Sequence, residues 1–460
     1  MKSEASESSI LSEYYDANNM PALVRKNGLS GKTIFLNFLK GMIGPACLSV
    51  PLALKEGGLV MGLCLIIFYG ILNNFCMLQL VDCSQYLSRK KGDVSLDYGS
   101  VAYEACANSF RWLRPYKSTA RFIVNGAIIA LQVGICSVSC VFLGVHTQEL
   151  VEQYWNPGFS KQTYLLLILP PLILINFLRT LKVIAFLSII GIILMISSLT
   201  FVFQYLVKQE HQLGSLPFIT DFNGIMMATG SILYSFEGQA MVLPLENKLK
   251  HPKKMVGPFG VLSCGMTVVT LVYCICGFLG YSTYGKNIQG SITLNLPDQP
   301  QFTVVKGFFV LVVYFGFALQ QYIIVDMTYP SIRSFLSSRT KVLRQFRITK
   351  SVIPELIYRT LLVILEMAFA IMVPNLEQII PLVGVTAGMF LALVFPAMID
   401  SITFLPGMFY RLSINESRRT CQKMRFAIVW RIFQNLCLMT LGIFGSVAGL
   451  QSSIRDLIKN

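Results

Sequence analysis

Asn37-Phe38-Leu39-Lys40-Gly41-Met42-Ile43-Gly44-Pro45-Ala46-Cys47-Leu48-Ser49-Val50-Pro51 is the stretch that decides the fold. It lies inside an apolar run over residues 33–54, and about 20 such residues suffice to cross a membrane as a helix. Yet glycines and Pro45 sit near its middle. Pro45 lacks a backbone donor and its ring clashes with the preceding turn, while Gly44 tolerates non-helical torsions. Unwound backbone at membrane depth survives only where protein or a wet cavity surrounds it. A helix broken halfway, with a cavity at the break, is therefore predicted.

Ten further apolar runs lie near residues 59–82, 120–146, 163–178, 183–207, 222–246, 257–283, 303–330, 352–373, 377–398 and 426–449. Over 460 residues, 54% are hydrophobic and 13% charged, whereas soluble chains are about a quarter charged. Only lipid accommodates so much apolar surface. The expected fold class is an all-α integral membrane protein with about eleven spans. Residues 1–30 are polar, mixed in charge, and read as a disordered inner tail. No cleavable signal peptide is expected ahead of the first span. Residues 31–400 form the expected core, and 401–460 hold an inner loop, the eleventh helix and a short C-terminus.

Orientation follows from Lys and Arg, which are retained on the cytoplasmic face. With the N-terminus inside, 30 of them fall in inner segments and 7 in outer ones, and Lys40 stays inside the first span. One missed or false span would scramble this alternation. The C-terminus then lies outside, and the sequon Asn415-Glu416-Ser417 faces the cytoplasm, where it stays unmodified. The net charge of +15 is spread over short loops rather than gathered on a stripe, which argues against a nucleic-acid partner. Twelve cysteines lie in apolar spans or basic loops and read as packing residues rather than disulfides or metal ligands. His146, His211 and His251 lie at span ends or in loops. With no catalytic set, nucleotide loop or metal cluster beside them, nothing points to an enzyme.

The sixth span is interrupted like the first. Gly230-Ser231-Ile232-Leu233-Tyr234-Ser235-Phe236-Glu237-Gly238-Gln239-Ala240 precedes Met241-Val242-Leu243-Pro244. Spans one and six correspond if the core is two five-helix repeats of opposite topology, near 31–208 and 220–400, and paired breaks of this kind mark transporter binding sites. Half-helices starting near Cys47 and Gly238 expose N–H groups suited to a carboxylate. Those ending near Ile43 and Ser235 leave carbonyls suited to an ammonium or a cation. A free amino acid carries both charges and fits such a pair; a simple kink in a packed helix is the plainer alternative.

Charges at mid-membrane cost about 2.5–3.5 kcal/mol each on insertion scales, so each needs a reason. Glu237, at the sixth-span break, is the candidate proton carrier, with a structural carboxylate paired with Lys40 or capping unwound backbone as the alternative. Asp326, near the inner end of the eighth span, reads as a coupling group, a gate ion pair or an interfacial charge. Glu366 reads as a structural hydrogen-bonding group. Lys40 can snorkel to the inner surface or pair with a carboxylate.

The chain resembles the proton-coupled amino acid transporters of the amino acid/auxin permease family, in the amino acid-polyamine-organocation superfamily. The resemblance is carried by Leu39 to Gly44 with Val50-Pro51-Leu52-Ala53-Leu54-Lys55, by Gln132-Val133-Gly134-Ile135-Cys136-Ser137-Val138, and most specifically by Phe236-Glu237-Gly238 with Val242-Leu243-Pro244-Leu245-Glu246-Asn247. Val373-Pro374-Asn375-Leu376 and Pro381-Leu382-Val383-Gly384 are similar as well. It implies a LeuT-type 5+5 inverted repeat with an eleventh helix, helices 1 and 6 interrupted. It also implies proton-driven transport of small neutral amino acids at the plasma membrane or at endosomes and lysosomes. Gly41, Ile43, Gly44, Pro45, Ala46, Cys47, Gln132, Ser235, Phe236 and Gly238 are the expected substrate-binding residues. Glu237, Asp326 and Lys40 are the expected coupling or gating residues, and no cofactor or metal is expected. The chain departs from relatives at Asn37, where several carry His, at Pro45–Ser49, where Thr-Gly-Leu-Leu-Gly is usual, and at Asp326, where Glu is usual. Rival readings keep the fold but couple to Na⁺ through carbonyls of Gly41 to Gly44 and the Thr328 hydroxyl, or make the chain an amino-acid sensor. A channel is the weakest rival, since no pore-lining polar ring repeats.

Overall fold

The computed structural model describes residues 24–25, 28–92, 94–155, 158–339, 352–414 and 418–459. Most of the expected tail, much of the basic loop after Arg333 and the sequon at Asn415 lie outside them.

The first span is two helices. α1 (Gly31–Met42) starts at Ser30, whose hydroxyl accepts from the Thr33 N–H at 3.2 Å, a cap of the kind that contributes about 1 kcal/mol. After Ile43 and Gly44 come a 3₁₀ turn (Pro45–Ser49) and α2 (Val50–Gly57). The two halves bend by 44°. Next come α3 (Leu59–Lys90), the short α4 (Tyr98–Ala107), α5 (Lys117–Tyr154), α6 (Lys161–Asn176) and α7 (Leu181–Val207). The sixth span is again a pair, α8 (Phe222–Ser235) and α9 (Gln239–Lys248), interrupted at Phe236 to Gly238. α10 (Val261–Tyr284), α11 (Pro300–Arg339), α12 (Ile353–Met372), α13 (Leu376–Val383), α14 (Phe395–Ile414) and α15 (Arg418–Lys459) complete the chain.

Every expected span is occupied by a helix or a helix pair. Among the described residues, seven helices are long and apolar enough to cross a membrane, and the bent α1–α2 pair makes an eighth. The other expected spans fall short for visible reasons: α6 has 16 residues, α8–α9 is interrupted, and α12 carries Glu355, Arg359 and Glu366. α4 was not anticipated. It is capped by Asp97, whose carboxylate accepts from the Ser100 N–H at 2.6 Å, and Tyr98 donates to the Leu391 carbonyl at 3.0 Å. Phe122, Leu167, Ile193, Phe433 and Val447 are all more than half exposed, which is stable against lipid and not against water.

The helices sort into two groups. α1, α2, α3, α8, α9 and α10 pack among themselves, and α5 packs with α6, α11 and α12, with α7 against α11. α8 also meets the tenth span without side chains between the backbones. A Cβ on Gly384 would lie 1.9 Å from the Gly230 carbonyl oxygen. Beyond α13 the tenth span passes through π-helical turns (Gly384–Gly388 and Phe390–Val394), and Thr386 leaves helical torsions at φ −82°, ψ −107°. At one end of the bundle, Leu29 donates to the Lys248 carbonyl at 2.7 Å and Lys250 donates back to Leu29 at 2.9 Å. Arg25 pairs there with Glu246 at 3.3 Å. The entry to α1 is thus strapped to the exit of α9.

Candidate functional site

Both breaks come together in the middle of the bundle. Met241 lies over Gly41, where a Cβ would be 1.7 Å from its methyl carbon, and Met42 lies over Gly238, 2.3 Å from sulfur to a would-be Cβ. Each broken helix places a flexible thioether where the other has no side chain. Tyr273 of α10 joins them further. Its hydroxyl is 2.7 Å from the Met42 carbonyl and 2.7 Å from the Ser235 carbonyl, the ends of α1 and α8. One phenol proton serves one carbonyl at a time. Ser235 and Ser49 both donate to the Ala46 carbonyl, at 3.2 and 2.7 Å.

A cavity of about 540 Å³ opens beside the breaks, within the size range of small-molecule sites. Lys40, Gly41, Gly44, Pro45, Ala46, Ser235 and Glu237 line it. Among the described residues the Glu237 carboxylate has neither an ion pair nor a side-chain hydrogen bond, so it does not pair with Lys40. The remaining expected residues stand behind the wall. Ile43 is half-buried and donates to the Leu39 carbonyl at 2.8 Å. Cys47 is buried and its carbonyl accepts from the Cys276 thiol at 3.2 Å. The Phe236 ring packs on Tyr273 with centroids 5.0 Å apart. Gly238 is covered by Met42, and Gln132 is buried with Oε1 lacking a partner among the described residues. Asp326 is exposed on α11, away from the cavity. Asn37, Ser49, Phe142, Tyr234, Ser291 and Gln320 also line the cavity. Of these and Tyr273, only Asn37 stands out in the sequence, because contacts between distant helices place the others.

The two ends of the cavity differ. At one end lie Lys40, Gly41 and Lys248, all exposed. At the other end Ser291 and Leu376 are 2% and 4% exposed. Beyond that closed end lies a second cavity of about 530 Å³, lined by Lys55, Glu56, Lys161, Glu377 and Asp456. Gly290 and Leu376 belong to both walls, and a Cβ on Gly290 would be 2.4 Å from that of Leu376. Lys55 braces this partition, reaching the Ile288 carbonyl at 2.8 Å and Glu377 at 2.9 Å.

Arg179 and Arg359 both pair with Glu355, at 2.6 and 3.0 Å. Arg179 lies in the connection between α6 and α7, and its hydrogen bond to Glu355 holds its guanidinium above the usual arginine range.

Comparison with known proteins adds to this geometry. Residues 27–449 match the family described as transmembrane amino acid transporter protein. A Caenorhabditis elegans protein named probable amino acid transporter skat-1 is 31% identical over 452 residues, covering 96% of this chain and 94% of its own. The Drosophila melanogaster proton-coupled amino acid transporter-like protein pathetic is 28% identical, covering 92% and 84%. Among solved structures, the nucleobase-cation-symport-1 family transporter Mhp1, closed with bromovinylhydantoin bound, aligns over 95% of each chain at 11% identity and a TM-score of 0.48.

Proposed function

The chain belongs to the transmembrane amino acid transporter family, and on that premise we propose that this amino acid transporter is a proton-coupled symporter of small neutral amino acids, working by alternating access. The observation that carries the proposal is the cavity between two interrupted helices, with the unpaired Glu237 carboxylate on its wall. The Tyr273 proton serves only one of the Met42 and Ser235 carbonyls at a time, and the other suits the ammonium of a zwitterion. Met42, Met241 and Phe142 narrow the space, which favours small side chains. Glu237 supplies a group that binds a proton once water is excluded and gives it up when the cavity is wet.

With the N-terminus cytoplasmic, the Lys40 end of the cavity opens to the cytoplasm and the Gly290 end is the closed outer side. The structure then corresponds to an inward-facing state. The host membrane on this reading is the plasma membrane or an endosomal or lysosomal one. The fly relative's name carries proton coupling, in agreement. The Thr328 hydroxyl, named in the sodium reading, donates to the Ile324 carbonyl at 2.6 Å and lies 2.7 Å from the Tyr358 hydroxyl. Uptake of labelled small neutral amino acids into proteoliposomes, under an imposed pH or Na⁺ gradient, tests the proposal. Uptake that follows Na⁺ and ignores pH refutes it, and binding without accumulation would mark a sensor instead.

A further inference from the structure

His146 has a role that its place near a span end conceals. It is fully buried on α5, with Nδ1 2.9 Å from the Phe142 carbonyl and Nε2 2.6 Å from the Thr293 hydroxyl. Thr293 is itself fully buried and lies 2.7 Å from the Ser291 hydroxyl. Ser291 lines the substrate cavity at its closed end, and so does Phe142, whose ring stacks on the imidazole with centroids 3.9 Å apart. A histidine, two hydroxyls and the cavity therefore form one continuous chain.

Chemistry fixes the direction of every hydrogen in it. A carbonyl only accepts, so Nδ1 carries the ring proton and donates to Phe142. In the neutral ring Nε2 then only accepts, so Thr293 donates to it, and the Thr293 oxygen accepts from Ser291. Both hydroxyl hydrogens point towards the ring. The charged groups nearby are Lys306 of α11, Glu149 on α5 itself and Asp298 of the preceding connection. Lys306 is buried and pairs with Glu149 at 2.5 Å and Asp298 at 3.4 Å, and no carboxylate bonds the ring among the described residues. A second positive charge on the ring, sealed from water and near that ammonium, is unfavourable in this state.

We propose that His146, Thr293 and Ser291 are a proton-carrying relay, in which the ring is protonated from outside when the Gly290 roof opens and discharged into the cavity when it closes. The proposal rests on the proton-coupled reading above and names a carrier within it. On closure the Nε2 proton passes to Thr293 as the Thr293 hydrogen passes to Ser291 and the Ser291 hydrogen passes to water in the cavity. No heavy-atom bond changes, the ring goes from cation to neutral, and one positive charge enters the cavity that holds Glu237. The hydrogen-bond directions left by that transfer are the ones the neutral chain must have. Roof closure and proton release are then one event, because the loop carrying Ser291 and Thr293 is also the roof.

The test uses the full chain in proteoliposomes with labelled alanine, in two modes. Exchange between equal pools needs no net proton movement, whereas accumulation under a pH gradient does. His146→Gln keeps a polar side chain that does not titrate, and Thr293→Val cuts the relay while leaving the ring. Each is expected to retain exchange, to lose about tenfold or more in pH-driven accumulation, within the usual range of coupling between sites, and to flatten the dependence of uptake on outside pH. Variants that exchange and still accumulate like the parent would overturn the relay while leaving proton coupling intact. A parent chain that ignores the pH gradient would overturn both. If His146→Gln does not reach the membrane, Thr293→Val alone decides between these outcomes.

Discussion

Replacing Tyr273 with Phe removes a single oxygen from the centre of the molecule. That oxygen lies 2.7 Å from the Met42 carbonyl and 2.7 Å from the Ser235 carbonyl, all fully or nearly buried. Phe keeps the ring contact with Phe236, so packing is largely preserved and the change isolates the hydrogen bond. Leaving buried carbonyls without their donor costs about 1–3 kcal/mol. Those carbonyls end α1 and α8, so the cost falls on the relative placement of the two breaks. If the clamp holds only in the state seen here, the balance between states shifts by about 5- to 150-fold. The assay is thermal unfolding in detergent, with and without alanine, paired with Tyr164→Phe. Among the described residues the Tyr164 hydroxyl is buried without a partner, so its removal should cost nothing. Tyr273→Phe should melt lower and bind more weakly, and a variant indistinguishable from Tyr164→Phe refutes the clamp.

Gly384→Ala should destabilise by about 1–3 kcal/mol or more, as overpacking does, because its Cβ would meet the Gly230 carbonyl at 1.9 Å; detergent melting curves check this. Lys55→Met should loosen the partition between the two cavities only modestly. The Lys55 and Glu377 side chains are 29% and 41% exposed, and such pairs contribute about 0–1 kcal/mol, so thiol labelling of a Gln289→Cys reporter from outside should rise a few-fold at most. Glu237→Gln should leave exchange measurable but make uptake insensitive to the pH gradient; unchanged proton-driven uptake would remove Glu237 from coupling.

Interruptions were legible because their causes are local. Pro45 and Gly44, or Gly238 beside Glu237, disrupt a helix wherever it packs, and Glu237 is conspicuous in an apolar run. Which face of each break meets the cavity is not a local property. Gly41 lines it while Gly238 lies under Met42, and Cys47 and Phe236 turn their side chains into the wall. Asp326, near the inner end of the eighth run, read as a coupling group, a gate ion pair or an interfacial charge, and α11 carries it on an exposed face, away from the cavity, and continues to Arg339. α4 was missed because ten residues are too few to span a membrane and stand out from the connection around them. Tyr273, Thr293 and Ser291 gain their importance from partners far along the chain. His146 was visible but unremarkable until the loop that covers it was placed.

The partition shared by Gly290 and Leu376 also has an electrical consequence. Cavities with charged walls, Lys40 and Glu237 on one side and Lys55, Glu377 and Asp456 on the other, carry the potential of the solution they join deep into the bilayer. The voltage across the membrane then falls mainly over the few ångströms of that contact. A single charge passing it would sense most of the field, worth about 2.3 kcal/mol per 100 mV. Transport through so thin a barrier should respond steeply to voltage, although the protein itself moves very little charge over any long distance.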